Sequence, residues 1–177
     1  MEILPTRLAG LLRIRPQVHS DARGYFLEPW SVDRYRAAGI GAVFVMDGES
    51  YSRKGTVRGL HFRDPPEAKL VRCVSGRIFD VAVDLRVGSE TFGHWEGFEL
   101  SGDNHEQLFV PAGFAHGFSV LSDDALMLYK KTELFDGSKE RGVRFDDPEI
   151  GVDWRTEVTT VSDRDRAAPT LRTLFAR

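Results

Sequence analysis

Arg58-Gly59-Leu60-His61-Phe62 and, eight positions after His61, Lys69 put a guanidinium, an imidazole and an ammonium within one short stretch. Further on come His116 within Pro111–Phe118, Tyr129 within Leu128-Tyr129-Lys130, and Asp165 within Ser162-Asp163-Arg164-Asp165. An arginine to hold an anion, a base, a cation for an oxyanion and a phenolic acid are the parts needed to move a proton beside a carbonyl. A base for such a proton works near neutral pKa, and a carboxylate partner orients and tunes an imidazole. Asp165, and after it Asp163, is the candidate partner of His61. Lys69 runs in phase with Val71 and Cys73: it either reaches solvent from the strand end or faces inward, where an ammonium among apolar groups is costly unless an anion meets it. Enolate stabilisation gives such a cation a purpose, because its attraction grows as charge develops on the carbonyl oxygen. Tyr129, in phase with Ala125, Met127 and Lys131, either packs as most strand tyrosines do or projects its phenol into the same interior. An acid opposite His61 accounts for inversion: one group removes the proton and the other returns one to the opposite face.

Arg23, Arg58 and Arg164 are candidates for a diphosphate, since guanidinium pairs bidentately with phosphate oxygens. Phe135 is placed to stack on a nucleobase or to cap the core. A metal centre is the chemical competitor, because Gly55 and His61, then Pro111, Gly113 and His116, follow part of the two-motif pattern of metal-binding cupins. That pattern has a second histidine where this chain has Arg63, a cation that cannot ligate, and two histidines are too few for a three-ligand centre. The expectation is no metal and no cofactor.

The elements that position these groups read as strands. Short runs of Val, Ile, Leu, Phe and Tyr recur between Gly, Asp, Ser or Pro, and many strands at short spacing indicate a closed all-β sandwich or barrel. Lys69–Val74 and Arg77–Arg86 read as a hairpin around Ser75-Gly76, with Phe79, Val81, Val83 and Leu85 on one face and Asp80, Ala82 and Asp84 on the other. Trp95–Leu100, Gln107–Pro111, Gly117–Leu121 and Leu126–Thr132 continue the pattern, with Ser122-Asp123-Asp124 as a turn. Few short helices are expected, and one is clear, with Ser31 as N-cap, Asp33 in its first turn and Gly39 as its stop. The tail after about Asp153 is less sheet-like and is expected to fold back over the barrel mouth.

A chain of 177 residues with 41% hydrophobic and 29% charged residues buries a core as one domain, 1–177, without staples. The net charge of −3 argues against nucleic-acid and acidic-membrane partners, so positive charge must be local if phosphate is a ligand. The single cysteine, Cys73, excludes an intrachain disulfide and suits a reducing cytosol; its apolar flanks, Leu70–Val74, predict a buried, inert thiol. Met1–Pro5 has neither a basic region nor a long apolar core, and no run approaches membrane-spanning length, so a cytoplasmic location is expected.

Several longer motifs then stand in order: Asp21-Ala22-Arg23-Gly24-Tyr25-Phe26-Leu27-Glu28, Val57–Phe62, Lys69-Leu70-Val71-Arg72, Phe79–Arg86, Thr91-Phe92-Gly93-His94-Trp95, Pro111–Phe118, Leu128-Tyr129-Lys130 and Asp165-Arg166-Ala167-Ala168-Pro169. On these the chain closely resembles, from about residue 5 to 172, the dTDP-4-dehydrorhamnose 3,5-epimerase family, metal-independent sugar-nucleotide epimerases on a cupin-type double-stranded β-helix, or jelly roll. The resemblance implies that His61 accepts the proton with Asp165 as its partner, Lys69 stabilises the C4 enolate and Tyr129 donates the proton. It implies that Arg23, Glu28, Asp47, Arg58, His116, Glu140 and Arg164 contact the substrate and that Phe135 stacks on thymine. It also implies a homodimer with N-terminal strands crossing between subunits. Met46-Asp47-Gly48-Glu49 departs from the family's usual Gln-Asp-Asn-His, removing two hydrogen-bonding side chains, while Leu134 replaces a tyrosine and Arg164 a lysine. The catalytic set is intact and the recognition shell has changed. The leading expectation is therefore an isomerase acting on a dTDP-linked 4-keto-6-deoxyhexose through an enolate. The alternatives are a single-site 3- or 5-epimerase of a modified deoxysugar nucleotide, a non-catalytic sugar-nucleotide-binding cupin, and a metal-dependent cupin oxygenase.

Overall fold

The computed structural model describes residues 1–176. In chain order the elements are β1 (Glu2–Leu4), β2 (Leu12–Arg15), β3 (Val18–Asp21), β4 (Gly24–Leu27), α1 (Val32–Ala37), β5 (Met46–Arg53), β6 (Val57–Arg63), β7 (Lys69–Asp84), β8 (Trp95–Ser101), β9 (Gln107–Val110), β10 (Phe114–Lys131), β11 (Glu140–Gly142), α2 (Asp163–Arg166) and α3 (Leu171–Phe175). β3 and β4 form a separate two-stranded hairpin; the other strands join one antiparallel nine-stranded sheet.

β7 and β10, 16 and 18 residues long, run side by side through the whole sheet. The first half of β7 pairs with β9 and its second half with β8, while β10 pairs first with β6 and then with β5. The sheet is thereby bent into two layers, β1-β2-β9-β7-β10-β5 and β8-β7-β10-β6-β11. Val71, Cys73, Leu108 and Met127 of the first layer meet Ile78, Ala82, Leu100 and Phe118 of the second in one apolar interior.

The outer faces are covered too. Tyr35 of α1, with Ile40, packs on Ile14, Leu70 and Phe109 of the first layer. Trp154, Val161 and Leu171 of the C-terminal segment pack on Val57, Leu60, Val81 and Val83 of the second. Burial from both sides explains why the second half of β7, Phe79–Asp84, is buried at every position although its sequence alternates.

Three local expectations are corrected. Ser75-Gly76 does not close a hairpin, and Ser122-Asp123-Asp124 does not turn the chain back: both lie within the continuous strands β7 and β10. The register passes from Ile78↔Val120 to Gly76↔Ala125, so β10 carries extra residues opposite Arg77, and both strands bend together there. Ser122 Oγ clasps the corner, accepting from Arg77 N at 2.7 Å and donating to Asp124 O at 2.5 Å. Small polar residues at a strand corner read the same as those at a turn. The third concerns α1, which stops before Gly39 as expected, whereas Ser31 at its N-cap makes no side-chain capping bond.

Candidate active site

Arg58 and His61 are three residues apart on β6, a spacing that puts side chains on opposite faces of a regular strand. Here both line one pocket between the layers. The register explains it: His61 pairs with His116 and Arg58 with Phe118, so β6 has one residue more than β10 between these pairs. This bulge over Gly59-Leu60 returns Arg58 to the inner face and sends Leu60 to the outer core. Glycine is required where the strands touch, since a Cβ on Gly59 would stand 2.6 Å from Gly117 Cα. Arg58 is then steadied by donating from Nε to Ser52 Oγ at 2.8 Å and from Nη2 to Tyr51 O at 3.2 Å.

His61 meets the carboxylate anticipated for it. Asp165 Oδ1 lies 2.7 Å from His61 Nε2, and its Oδ2 accepts from Gly59 N at 3.2 Å. Ser162 Oγ caps α2 by accepting from Asp165 N, which holds the aspartate in place. Burial pushes the Asp165 carboxyl up, but the His61 contact, with Gly59 N–H and Ser162, outweighs it and holds Asp165 below the usual carboxylate range. An ionised carboxylate only accepts, so His61 Nε2 carries the proton and Nδ1 keeps the free lone pair. Asp163 on the same helix is exposed and is not the partner. His116 Nε2 likewise lies 2.9 Å from Oδ2 of the fully buried Asp80.

Lys69 does face inward. Its Nζ is 3.3 Å from Glu67 Oε1, and the same oxygen lies 2.9 Å from Lys131 Nζ, which also donates to Glu140 at 3.0 Å. The two ammonium groups approach Glu67 as charges, without the alignment of directional hydrogen bonds. Desolvation lowers the Lys69 pKa, partly opposed by Glu67 and assisted by Lys131. Desolvation acts on Lys131 in the same sense, but Glu67 and Glu140 outweigh it and raise its pKa.

The pocket brings together His61, Lys69, Tyr129, Arg58, His116, Glu140, Arg164 and Phe135, with Asp165 directly behind His61. Phe135 stands at the rim, 67% exposed, and caps no core. Three anticipated contacts lie elsewhere. Arg23 is exposed on the β3–β4 hairpin, paired with Asp21 at 2.6 Å, because that hairpin forms its own sheet; the proposed trio of arginines is a pair within this chain. Glu28, just after the hairpin, faces Arg34 at 3.3 Å. Asp47 alternates onto the outer face of β5 and accepts from Lys130 at 2.7 Å. Arg63 is likewise turned from the pocket, buried and paired with Glu133. Among the described residues no three His, Cys, Asp or Glu side chains gather as a metal site.

Sequence reasoning missed Lys131, Glu67 and Asp80, and with them Ser50, Phe118 and Met127 in the pocket wall. Lys131 was readable from its phase with Tyr129, and Asp80 from being an acid in an apolar strand. Glu67, in the Pro-rich connection before β7, carried no periodic signal.

Similarity to known proteins agrees with this architecture. The family model for dTDP-4-dehydrorhamnose 3,5-epimerase matches residues 5–173. A dTDP-4-dehydrorhamnose 3,5-epimerase of Methanothermobacter thermautotrophicus is 46% identical over 173 residues, covering 96% of this chain and 94% of that one. A dTDP-4-dehydrorhamnose 3-epimerase of Streptomyces niveus is 40% identical over 171 residues, covering 95% and 83%. The crystal structure of a dTDP-6-deoxy-D-glucose-3,5-epimerase from Legionella pneumophila, in complex with dTDP-4-keto-L-rhamnose, superposes with a TM-score of 0.95 at 42% identity, covering 99% of this chain and 95% of that one. The fold is thus the cupin-type jelly roll. By sequence and by structure the chain belongs to the dTDP-4-dehydrorhamnose 3,5-epimerase family.

Proposed function

We propose that this protein epimerises a dTDP-linked 4-keto-6-deoxyhexose by removing and returning a proton through an enolate. The observation that carries the reading is a single pocket holding the His61–Asp165 pair, Lys69 and Tyr129 beside Arg58 and Arg164, in a chain whose net charge is −3. The C4 carbonyl acidifies C3 and C5. His61 Nδ1 takes the proton, Asp165 stabilises the imidazolium that forms, and Lys69 stabilises the enolate oxygen. Tyr129 belongs to the layer facing that of His61 and returns a proton to the other face of the sugar. Arg58 and Arg164 hold the diphosphate, and Phe135 at the rim stacks on the base.

Residues 1–177 act as one unit, since the C-terminal segment supplies Asp165 to a pocket made by the strands, and the single free cysteine suits a reducing cytosol. The working form is a homodimer. Tyr25 and Phe26 are 56% and 69% exposed on the β3–β4 hairpin, an apolar surface that a second copy covers, and Arg23 stands on the same hairpin. Sedimentation at the mass of one chain overturns the dimer.

Proton NMR of dTDP-4-keto-6-deoxyglucose with the protein in D2O tests the function. Loss of both the C3 and C5 signals is expected. A second reading, a single-carbon epimerase, is favoured by Met46 and Gly48 on the pocket face of β5, where neither supplies a polar side chain. Loss of one signal selects it. Binding without loss of either signal refutes both readings and leaves a non-catalytic cupin.

A further inference from the structure

Met46, Gly48 and Ser50 share the inner face of β5, because side chains two apart point the same way. Gly48 is the register partner of Tyr129 on β10. The tyrosine ring is folded over that glycine: a Cβ built on Gly48 would stand 2.5 Å from ring Cζ and 2.8 Å from the phenol oxygen, where ordinary contact begins at 3.4 Å. Any residue but glycine expels the ring from this position. Phe79 covers Gly97 in the same manner, but there the ring belongs to a buried core and only packing is gained. The ring over Gly48 lines the pocket and carries the only phenol among its lining residues.

We propose that Gly48 is a positioning residue for proton return: lacking a Cβ, it lets the Tyr129 phenol rest against β5, and this resting place sets how often the enolate is reprotonated with inversion. The proposal rests on the function given above. In the first half-reaction a C–H bond breaks, the proton passes to His61 Nδ1, and the electron pair enters the enolate. Return from Tyr129 O–H forms the new C–H bond on the opposite face and leaves a phenolate, which regains a proton from water as His61 releases its own. Return from His61, after its proton has exchanged with solvent, restores the original configuration. In D2O both returns introduce deuterium, and only the first inverts the carbon. The ratio of inversion to exchange therefore reports where the phenol stands, whereas a merely structural defect lowers both together.

The experiment follows that ratio at C3 and C5 for the wild type, Gly48→Ala, Tyr129→Phe and the double variant, with dTDP-4-keto-6-deoxyglucose in D2O. Gly48 does not occupy the left-handed region, so alanine fits the backbone of β5. Since about 1 Å of displacement changes a rate by up to about a hundredfold, Gly48→Ala is expected to change the ratio by about ten- to a hundredfold while exchange itself persists. In the Tyr129→Phe background the same substitution should change nothing further, because its effect is transmitted through the phenol. An unchanged ratio, equal losses of inversion and exchange, or an undiminished effect in the Tyr129→Phe background overturns the proposal. Absence of exchange in the wild type overturns the function itself, and this inference with it. A second readout is independent of turnover: in 3-fluorotyrosine-labelled protein, the Tyr129 fluorine resonance, assigned by its loss in Tyr129→Phe, should shift on Gly48→Ala, and a resonance that stays in place refutes the geometry.

Discussion

His61 and His116 are register partners across β6 and β10, and the Nε2 of each pairs with a buried aspartate, Asp165 and Asp80. They differ in access: the His61 side chain is 32% exposed and that of His116 only 7%. His61 alone of the two offers a substrate an open ring edge. His61→Asn should therefore lower kcat by about a hundred- to ten-thousandfold, the usual worth of a general base, while dTDP still binds in calorimetry. His116→Asn should mainly raise KM and leave solvent-deuterium exchange measurable. Comparable exchange by His61→Asn and the wild type removes His61 from the reaction.

The environment of Lys69 predicts a pH dependence. Desolvation lowers its pKa from 10.5, so the ammonium, and the rate that depends on it, is lost at a lower pH than for an ordinary lysine. Lys131 contributes to that lowering as a like charge. Lys131→Met should thus move the alkaline limb of the kcat profile to higher pH, even as two carboxylates facing a single lysine reduce the rate. An alkaline limb that stays in place in Lys131→Met, or that keeps the same midpoint in Lys69→Met, contradicts the assignment.

Arg58 and Arg164 should separate phosphate binding from base binding. A hydrogen bond to a charged group is worth about 1.5–3 kcal/mol, so replacing either arginine by methionine should weaken dTDP by roughly ten- to a hundredfold. Thymidine affinity should hardly change. Equal losses for the two ligands would place the arginines away from the diphosphate.

Cys73 is buried against the interior, and desolvation pushes its thiol up to about 11. It should resist a disulfide reagent at pH 8 in the native protein and react on unfolding in guanidinium chloride. Rapid native labelling would show that the interior opens readily.

Trp154 ties the C-terminal segment to the second layer. Its ring is buried, Nε1 donates to Phe145 O at 2.9 Å, and its carbonyl accepts from Ser119 Oγ at 2.6 Å. Trp154→Ala should cost about 3–5 kcal/mol of stability in denaturant unfolding. It should also slow exchange, because the loosened segment carries Asp165. Full stability with normal turnover would mean that the segment does not depend on this anchor.

Residue types and period-two alternation were enough to read the strand-rich class and the phase that Lys69 and Tyr129 share with their neighbours, and motif order was enough for the family resemblance. Burial of Cys73 followed from its apolar flanks. These are local properties, since alternation is written into consecutive side chains. Tertiary structure decided the rest. The bulge that returns Arg58 to the face of His61 depends on how β6 registers against β10; Gly59 permits it without specifying it. Ser75-Gly76 and Ser122–Asp124 were misread as turns because a corner where two paired strands bend together uses the same small polar residues as a reversal. Arg23, Glu28 and Asp47 sit away from the chain's own pocket because hairpin pairing and strand alternation, rather than motif membership, set their direction. Lys131 reaches Lys69 and Glu67 only once β7 and β10 lie side by side, and the place of the Tyr129 ring over Gly48 needs β5 as a third strand. A side chain's phase is set by its own strand, but its partners are set by strands brought from elsewhere in the chain, and charge and close contact act only between groups that the fold has made neighbours.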